Sequence, residues 1–127
     1  MTDIEKKRTG EAVQFLDDAE FLYRERIGNL QLMTKLYHAM LYSLFALFNI
    51  ESIGHLTHSD IIGTFDREYI QKGIFSETLL DALNHAYAFT HECDCAHTKQ
   101  PEDREIEKLL PITREFVSSV RGYLQSS

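Results

Sequence analysis

The chain has 127 residues, the length of one ordinary domain, and its 43% hydrophobic and 26% charged residues are typical of a globular protein. This composition excludes a disordered, low-complexity or collagen-like chain. The net charge of −7 creates a repulsive average field toward RNA or an anionic membrane, so either partner would need a local basic patch, and the sequence shows no convincing one. We expect a single domain over residues 1–127.

Long helices are expected, because two prolines and six glycines are too few for a fold of many short strands. The first helix, about Asp3 to Ile27, has apolar residues at helical spacing. Gly28 and Asn29 predict the end of this helix and the start of the next. Glycine tolerates the left-handed conformation in which helices commonly end.

The second helix, roughly Leu30 to Ile50, is apolar nearly all round from Leu36 onward. A helix with this pattern is buried by its neighbours, and its strictly apolar part is too short for a membrane span. We therefore predict an all-α fold, an up-and-down antiparallel bundle of about five helices around this buried central helix. The first residues show no apolar stretch of signal-peptide type, which favours a cytoplasmic protein.

The second half of the chain carries further helix boundaries. The segment Thr57 to Asp60 resembles a capping box before a short helix, and Ser76 is placed to cap a helix from Glu77 to about Cys93. Pro101 suits the first turn of the final helix, because that position needs no N–H donor. Pro111 interrupts the pattern of the final helix and predicts a kink or a division in two.

Several segments resemble a known family in their order and spacing: Lys35 to Tyr42, Leu56 to Ser59, and Phe65 to Phe75. With Phe15 to Glu20 and the last helix, they are similar to the small stand-alone prokaryotic branch of the HEPN domain, the higher-eukaryote and prokaryote nucleotide-binding domain. The resemblance covers nearly the whole chain. It implies a helical bundle that pairs into a homodimer and is often encoded beside a minimal nucleotidyltransferase, as a toxin–antitoxin or substrate-binding partner.

The catalytic motif of this family is absent from the sequence. Many catalytic members are metal-independent ribonucleases with an Arg a few residues before a His, and no His of this chain has an Arg five to seven positions before it. Where the stand-alone branch commonly has this Arg, the chain has Thr90, followed by Asp94 and Cys95. Thr carries no charge to hold a scissile phosphate. The resemblance therefore favours a non-catalytic homodimeric interaction module that binds a nucleotidyltransferase or a nucleotide.

The expected nucleotide or partner groove contains Tyr37, His38, His58 and Thr90. For Tyr37 and His38, packing in the core or at a dimer interface is the alternative interpretation. The alternative function is a diverged metal-independent ribonuclease using His91, Asp94 and His97, since two imidazoles can act as acid and base near neutral pH. We expect no cofactor, no DNA partner and no membrane partner. The sequence leaves open whether the ligand is a nucleotide or RNA.

His91, Cys93, Cys95 and His97 stand at alternate positions and are ligand types that zinc prefers. On an extended strand they would share one face, but on a helix only Cys93 and His97 would be neighbours. Structural zinc motifs normally separate their ligand pairs by a longer loop. We therefore expect no metal and interpret the cysteines as free thiols, with a metal site at these four residues as the alternative.

Overall fold

The computed structural model describes residues 1–54, 56–91 and 101–126. Within these ranges the chain forms five α-helices and one short π-helical segment, and no strand. The elements are α1 (Asp3–Arg24), α2 (Asn29–Leu47), α3 (His58–Phe65), the π-helical segment (Asp66–Ile70), α4 (Glu77–His91) and α5 (Asp103–Ser126). The predicted all-α bundle is confirmed. No helix of these ranges is long and apolar enough to cross a membrane.

The central helix α2 is the core of the bundle, as predicted. It packs against α1, α4 and α5, and Leu36, Met40 and Leu44 along it are fully buried. It ends at Leu47, a turn earlier than expected, because Asn49 takes a left-handed φ of 56° that breaks the helix. Asparagine tolerates this conformation better than most residues. The N–H of Ile50 then donates to the carbonyl of Phe45, which closes the helix end.

The end of α1 differs from the prediction at Gly28. The left-handed residue is Arg26, with φ 56°, and the N–H of Ile27 donates back to the carbonyl of Leu22 at 3.0 Å. This is the geometry of a Schellman motif, in which two such bonds satisfy the last carbonyls of a helix. Gly28 instead precedes α2 as its N-cap residue. The tertiary packing of α1 on α2 thus outweighs the local preference for glycine.

The capping box lies at a different helix from the predicted one. Thr2 Oγ1 accepts from the N–H of Glu5 at 3.1 Å, and Glu5 Oε1 accepts from the N–H of Thr2 at 2.8 Å, so the pair starts α1. Thr57 is the N-cap residue of α3, but its side chain makes no capping hydrogen bond within the described part of the chain. Ser76 does accept from the N–H of Thr78, as expected for α4.

The last helix, α5, runs unbroken through Pro111, so the predicted division is wrong. Buried residues on both sides of the proline, among them Ile106 and Phe116, hold the two halves against the same core. This shared packing outweighs the missing hydrogen bond of the proline. Pro101 lies two residues before the first helical residue, Asp103, and not in the first turn.

A buried cation joins α1 to the end of α2. Arg8 is only 5% exposed; its Nε donates to the carbonyl of Ile50 at 3.0 Å and its Nη2 to that of Glu51. Its Nη1 donates to Glu11 Oε1 at 2.7 Å. We call these four residues the Arg8 cluster. Arg8 thus supplies donors to two backbone carbonyls that lie beyond the end of α2 and would otherwise lack helical partners.

Candidate functional site

Polar and aromatic side chains from three helices meet at one junction. Tyr37 comes from the middle of α2, His58 is the first residue of α3, and Thr90 and His91 form the end of α4. We call these four residues the histidine cluster. Tyr37 is fully buried, His58 is half-buried and His91 is exposed, so the cluster leads from the core to the surface.

Short contacts between polar atoms link the cluster into a chain. Tyr37 Oη lies 2.8 Å from His58 Nδ1, which in turn lies 3.1 Å from His91 Nε2. The other nitrogen of His91, Nδ1, lies 2.6 Å from Thr90 Oγ1. A single nitrogen of His58 therefore faces two partners, a phenol and a second imidazole.

Ring packing fixes the orientation of His91. Tyr87 stacks on its imidazole with ring centroids 4.4 Å apart and planes 10° from parallel. Tyr37 meets the same imidazole edge-on at 5.0 Å. Such aromatic pairs restrict ring rotation, so His91 keeps one nitrogen directed at His58 although the residue is exposed.

Burial determines the protonation of the two inner residues. It raises the pKa of Tyr37 far above its ordinary value, because the phenolate would lose its hydration, and Tyr37 remains a neutral phenol. Burial also lowers the pKa of His58, and the nearby His91 lowers it further. Near neutral pH, His58 is therefore a neutral imidazole.

The predicted groove residues separate into two groups. Tyr37, His58 and Thr90 meet in the histidine cluster together with His91. Within the described part of the chain, His38 takes part through its ring and not through these polar contacts: it packs against Phe15 at 5.2 Å, Tyr37 at 5.8 Å and Tyr42 at 6.4 Å. Burial lowers the pKa of His38 as well.

The other predicted site residues lie outside the described ranges. These are Cys93, Asp94, Cys95 and His97. Of the proposed ribonuclease residues and metal ligands, only His91 is described. Among the described residues, no group of three or more His, Cys, Asp or Glu side chains surrounds a common point where a metal could be held.

A groove of about 430 Å³ adjoins the histidine cluster between α3, the π-helical segment and α4. Its polar lining is formed by Ser59, Asp66, Asn84 and Tyr87, of which Ser59 follows His58 and Tyr87 stacks on His91. We call it the small groove. Its volume falls within the range of about 300–1,000 Å³ that is common for small-molecule sites.

The sequence prediction did not include a cation beside the small groove. A Cβ added to Gly63, which lines the groove, would lie 3.3 Å from Arg67 Nη1, so the guanidinium of Arg67 covers this position. The prediction considered only an Arg just before a His on the same helix. Arg67 follows Gly63 by four residues, a spacing that places the two side by side on a helix, but only the structure shows that Gly63 lines a groove.

A second groove, of about 630 Å³, lies between α4 and α5. Part of its charged lining forms ion pairs: His85 Nε2 lies 3.3 Å from Glu105 Oε1, and Arg104 Nε lies 3.1 Å from Glu102 Oε2. The small groove is the candidate for a ligand because it adjoins the histidine cluster: Tyr87 lines it and stacks on His91.

Fold and site together define a helical bundle with two histidines in contact beside a small groove. The chain is 26% identical over 121 residues to a Methanocaldococcus jannaschii protein named "Putative toxin MJ0142", covering 95% of this chain and 82% of that protein. It is 21% identical over 115 residues to a Thermotoga maritima protein named "UPF0332 protein", covering 90% and 86%. No protein-family model matches the chain. The similarity thus extends over most of each protein.

Proposed function

We propose that this chain is a HEPN-like, non-catalytic binding module of a toxin–antitoxin pair, which acts as a homodimer and binds a nucleotide in the small groove. The observation that carries the proposal is the position of this groove directly beside the histidine cluster. The similarity to a protein named as a toxin, over 95% of the chain, supports the toxin–antitoxin context. The protein partner would be a minimal nucleotidyltransferase, as the HEPN resemblance implies.

The lining of the small groove offers the contacts that a nucleotide needs. The Tyr87 ring provides an aromatic surface for a base, and the Asn84 amide and Asp66 carboxylate can hydrogen-bond its polar edge. The Arg67 guanidinium can pair with a phosphate. A net charge of −7 disfavours a long RNA but penalises a small nucleotide far less, because fewer phosphates enter the field.

Calorimetric titration with AMP and ATP tests the nucleotide proposal. We expect saturable binding that Asn84→Ala and Arg67→Ala each weaken about tenfold, since each removes one hydrogen-bonding or ionic contact worth about 1.4 kcal/mol. Arg104→Ala, in the second groove, is the matched control and should bind as the original chain does. Absence of nucleotide binding, or equal loss in the control, would contradict the proposal.

Co-expression tests the partner and the oligomeric state. A nucleotidyltransferase encoded beside the gene should co-purify with this chain and should relieve any growth arrest that the chain causes alone. Light scattering of the isolated chain should give twice the 14.8 kDa mass. A monodisperse monomer would contradict the homodimer, and failure of the two proteins to associate would contradict the nucleotidyltransferase partner.

The second candidate function is a diverged ribonuclease, favoured by the contact between the two imidazoles. A neutral imidazole such as His58 can accept a proton from an attacking hydroxyl, and a protonated one can donate to the leaving oxygen. RNA cleavage that disappears in His91→Ala or His97→Ala, but persists in His85→Ala, would support this function. RNA that stays intact after prolonged incubation would count against it.

A further inference from the structure

The contacts around His91 determine which of its nitrogens carries the proton. Thr90 Oγ1 lies 3.0 Å from the carbonyl oxygen of Ala86, and a carbonyl can only accept. The carbonyl oxygen of Tyr87 also lies 3.2 Å from Oγ1, so we assign the single hydroxyl proton of Thr90 to the backbone, with Oγ1 accepting from His91 Nδ1 at 2.6 Å. A neutral His91 then has its lone pair on Nε2, the nitrogen that faces His58.

The contact with Tyr37 assigns the facing nitrogen of His58 in the same way. The buried Tyr37 keeps its hydroxyl proton and donates it to His58 Nδ1, its hydrogen-bond partner at 2.8 Å. His58 Nδ1 then presents a lone pair as well. With this assignment both facing nitrogens, 3.1 Å apart, are unprotonated, and the lone pair of His58 Nδ1 accepts from Tyr37. No proton then joins the two imidazoles, and a cation between them would bind to both nitrogens.

The separation of the two nitrogens fits a metal ion of the zinc class. Zinc binds imidazole nitrogen at about 2.0–2.1 Å in tetrahedral geometry, which places two such nitrogens about 3.3 Å apart. The observed 3.1 Å is within a few tenths of an ångström of this value. A histidine that binds a metal through one ring nitrogen commonly donates a hydrogen bond from the other, which orients the ring. The hydrogen bond from His91 Nδ1 to Thr90 Oγ1 orients His91 in this way.

We propose that His58 and His91 bind one Zn²⁺ ion per chain through Nδ1 and Nε2, at the exposed end of the histidine cluster. The ion takes the lone pair of His58 Nδ1 that otherwise accepts from Tyr37, while Tyr37 keeps its proton and its oxygen, 2.8 Å from that nitrogen, then faces the ion. Because His91 is exposed, the remaining coordination positions are open to water or to an anionic ligand. This site differs from the one that spacing suggested, which combined His91 with Cys93, Cys95 and His97.

Titration of the untagged full chain with Zn²⁺, against a chromophoric chelator, tests the site. We expect one equivalent of Zn²⁺ to bind, and His58→Ala and His91→Ala each to weaken binding at least about tenfold, since each leaves one nitrogen ligand. His85→Ala is the matched control, because it removes an exposed histidine of α4 and should leave binding unchanged. Circular dichroism of each variant establishes that the bundle is intact.

The proposed site and the alternative metal site share His91, but only the proposed site contains His58. Variants of His58 therefore distinguish the two sites. A Cys93→Ser, Cys95→Ser double variant should keep its affinity for Zn²⁺ if the proposal is right. Zinc binding that survives His58→Ala, or that disappears in the cysteine variant, would overturn it, as would no binding by the original chain. The test is independent of the nucleotide proposal, because it uses the metal alone as the probe.

Discussion

Two polar clusters are attached to the central helix, and they differ in how their hydrogen bonds are satisfied. In the Arg8 cluster, Nε, Nη1 and Nη2 of the guanidinium each have an acceptor, and the residue is buried. In the histidine cluster, one nitrogen of His58 faces both a phenol and an imidazole, and the cluster reaches the surface at His91. The first cluster is closed, whereas the second remains open to a ligand.

This difference separates a structural role from a functional one. A buried polar group with complete partners stabilises one arrangement of the chain and offers nothing to a ligand. A partly exposed polar group that solvent reaches can gain free energy by binding a ligand. We expect substitutions in the Arg8 cluster to lower stability and those at the exposed end of the histidine cluster to lower binding.

The largest effect is expected for Arg8→Ala. It leaves the carbonyls of Ile50 and Glu51 without a buried donor and should lower the free energy of unfolding by about 3 kcal/mol. Urea denaturation measures the change. Arg8→Lys should recover part of the loss, because the ammonium can reach fewer acceptors. A loss below about 1 kcal/mol in Arg8→Ala would show that water satisfies these carbonyls and that the cluster is not closed.

Tyr37→Phe is expected to have a smaller effect, about 1 kcal/mol of unfolding free energy. Phenylalanine retains the packing of the fully buried ring and removes only the hydroxyl that meets His58 Nδ1. The same denaturation measurement applies, with Tyr123→Phe on the exposed side as the control. An equal change in the two variants would mean that the contact between Tyr37 and His58 does not stabilise the fold.

Lowered histidine pKa values predict a pH dependence of stability. Because burial lowers the pKa of His38 in the folded chain, the unfolded chain binds a proton first as the pH falls below about 6.5, and stability decreases. His38→Gln should reduce this slope by less than about 1.4 kcal/mol per pH unit, the limit for one proton. Denaturation between pH 5 and about pH 8 with a chelator present measures the slope.

A control for this pH dependence is His85→Gln, which makes the same chemical change at an exposed position of α4. The His38 variant should flatten the pH profile more than the His85 variant does. If both variants have the slope of the original chain, burial of His38 does not destabilise its protonated form.

The smallest effect on stability is expected for His91→Ala, within about 0.5 kcal/mol, because the residue is exposed at the end of α4. The same variant should lose zinc binding, so stability and binding would change independently. A loss of stability comparable to that of Arg8→Ala would remove the distinction between the two clusters.

The differences from the sequence predictions have a common physical cause. Hydrophobic periodicity predicts which faces are buried, but boundaries depend on contacts with distant residues. Gly28 was expected to end α1, yet Arg26 takes the left-handed conformation there. Pro111 was expected to kink the last helix or divide it in two, and core packing on both sides keeps α5 continuous, without division. The burial of apolar side chains contributes more free energy than the backbone preference of a single glycine or proline, so it decides the helix boundaries.

The sequence by itself determined the all-α class and the buried central helix, because both depend on the spacing of apolar residues along the chain. Through the HEPN resemblance, it also indicated Tyr37, His58 and Thr90 as residues of a nucleotide or partner groove. Only the tertiary structure decided that His58 meets His91, 33 positions away, and that Gly63, beside Arg67, lines the small groove. Hydrogen bonding acts over about 3 Å in space, and sequence spacing carries no direct record of that distance.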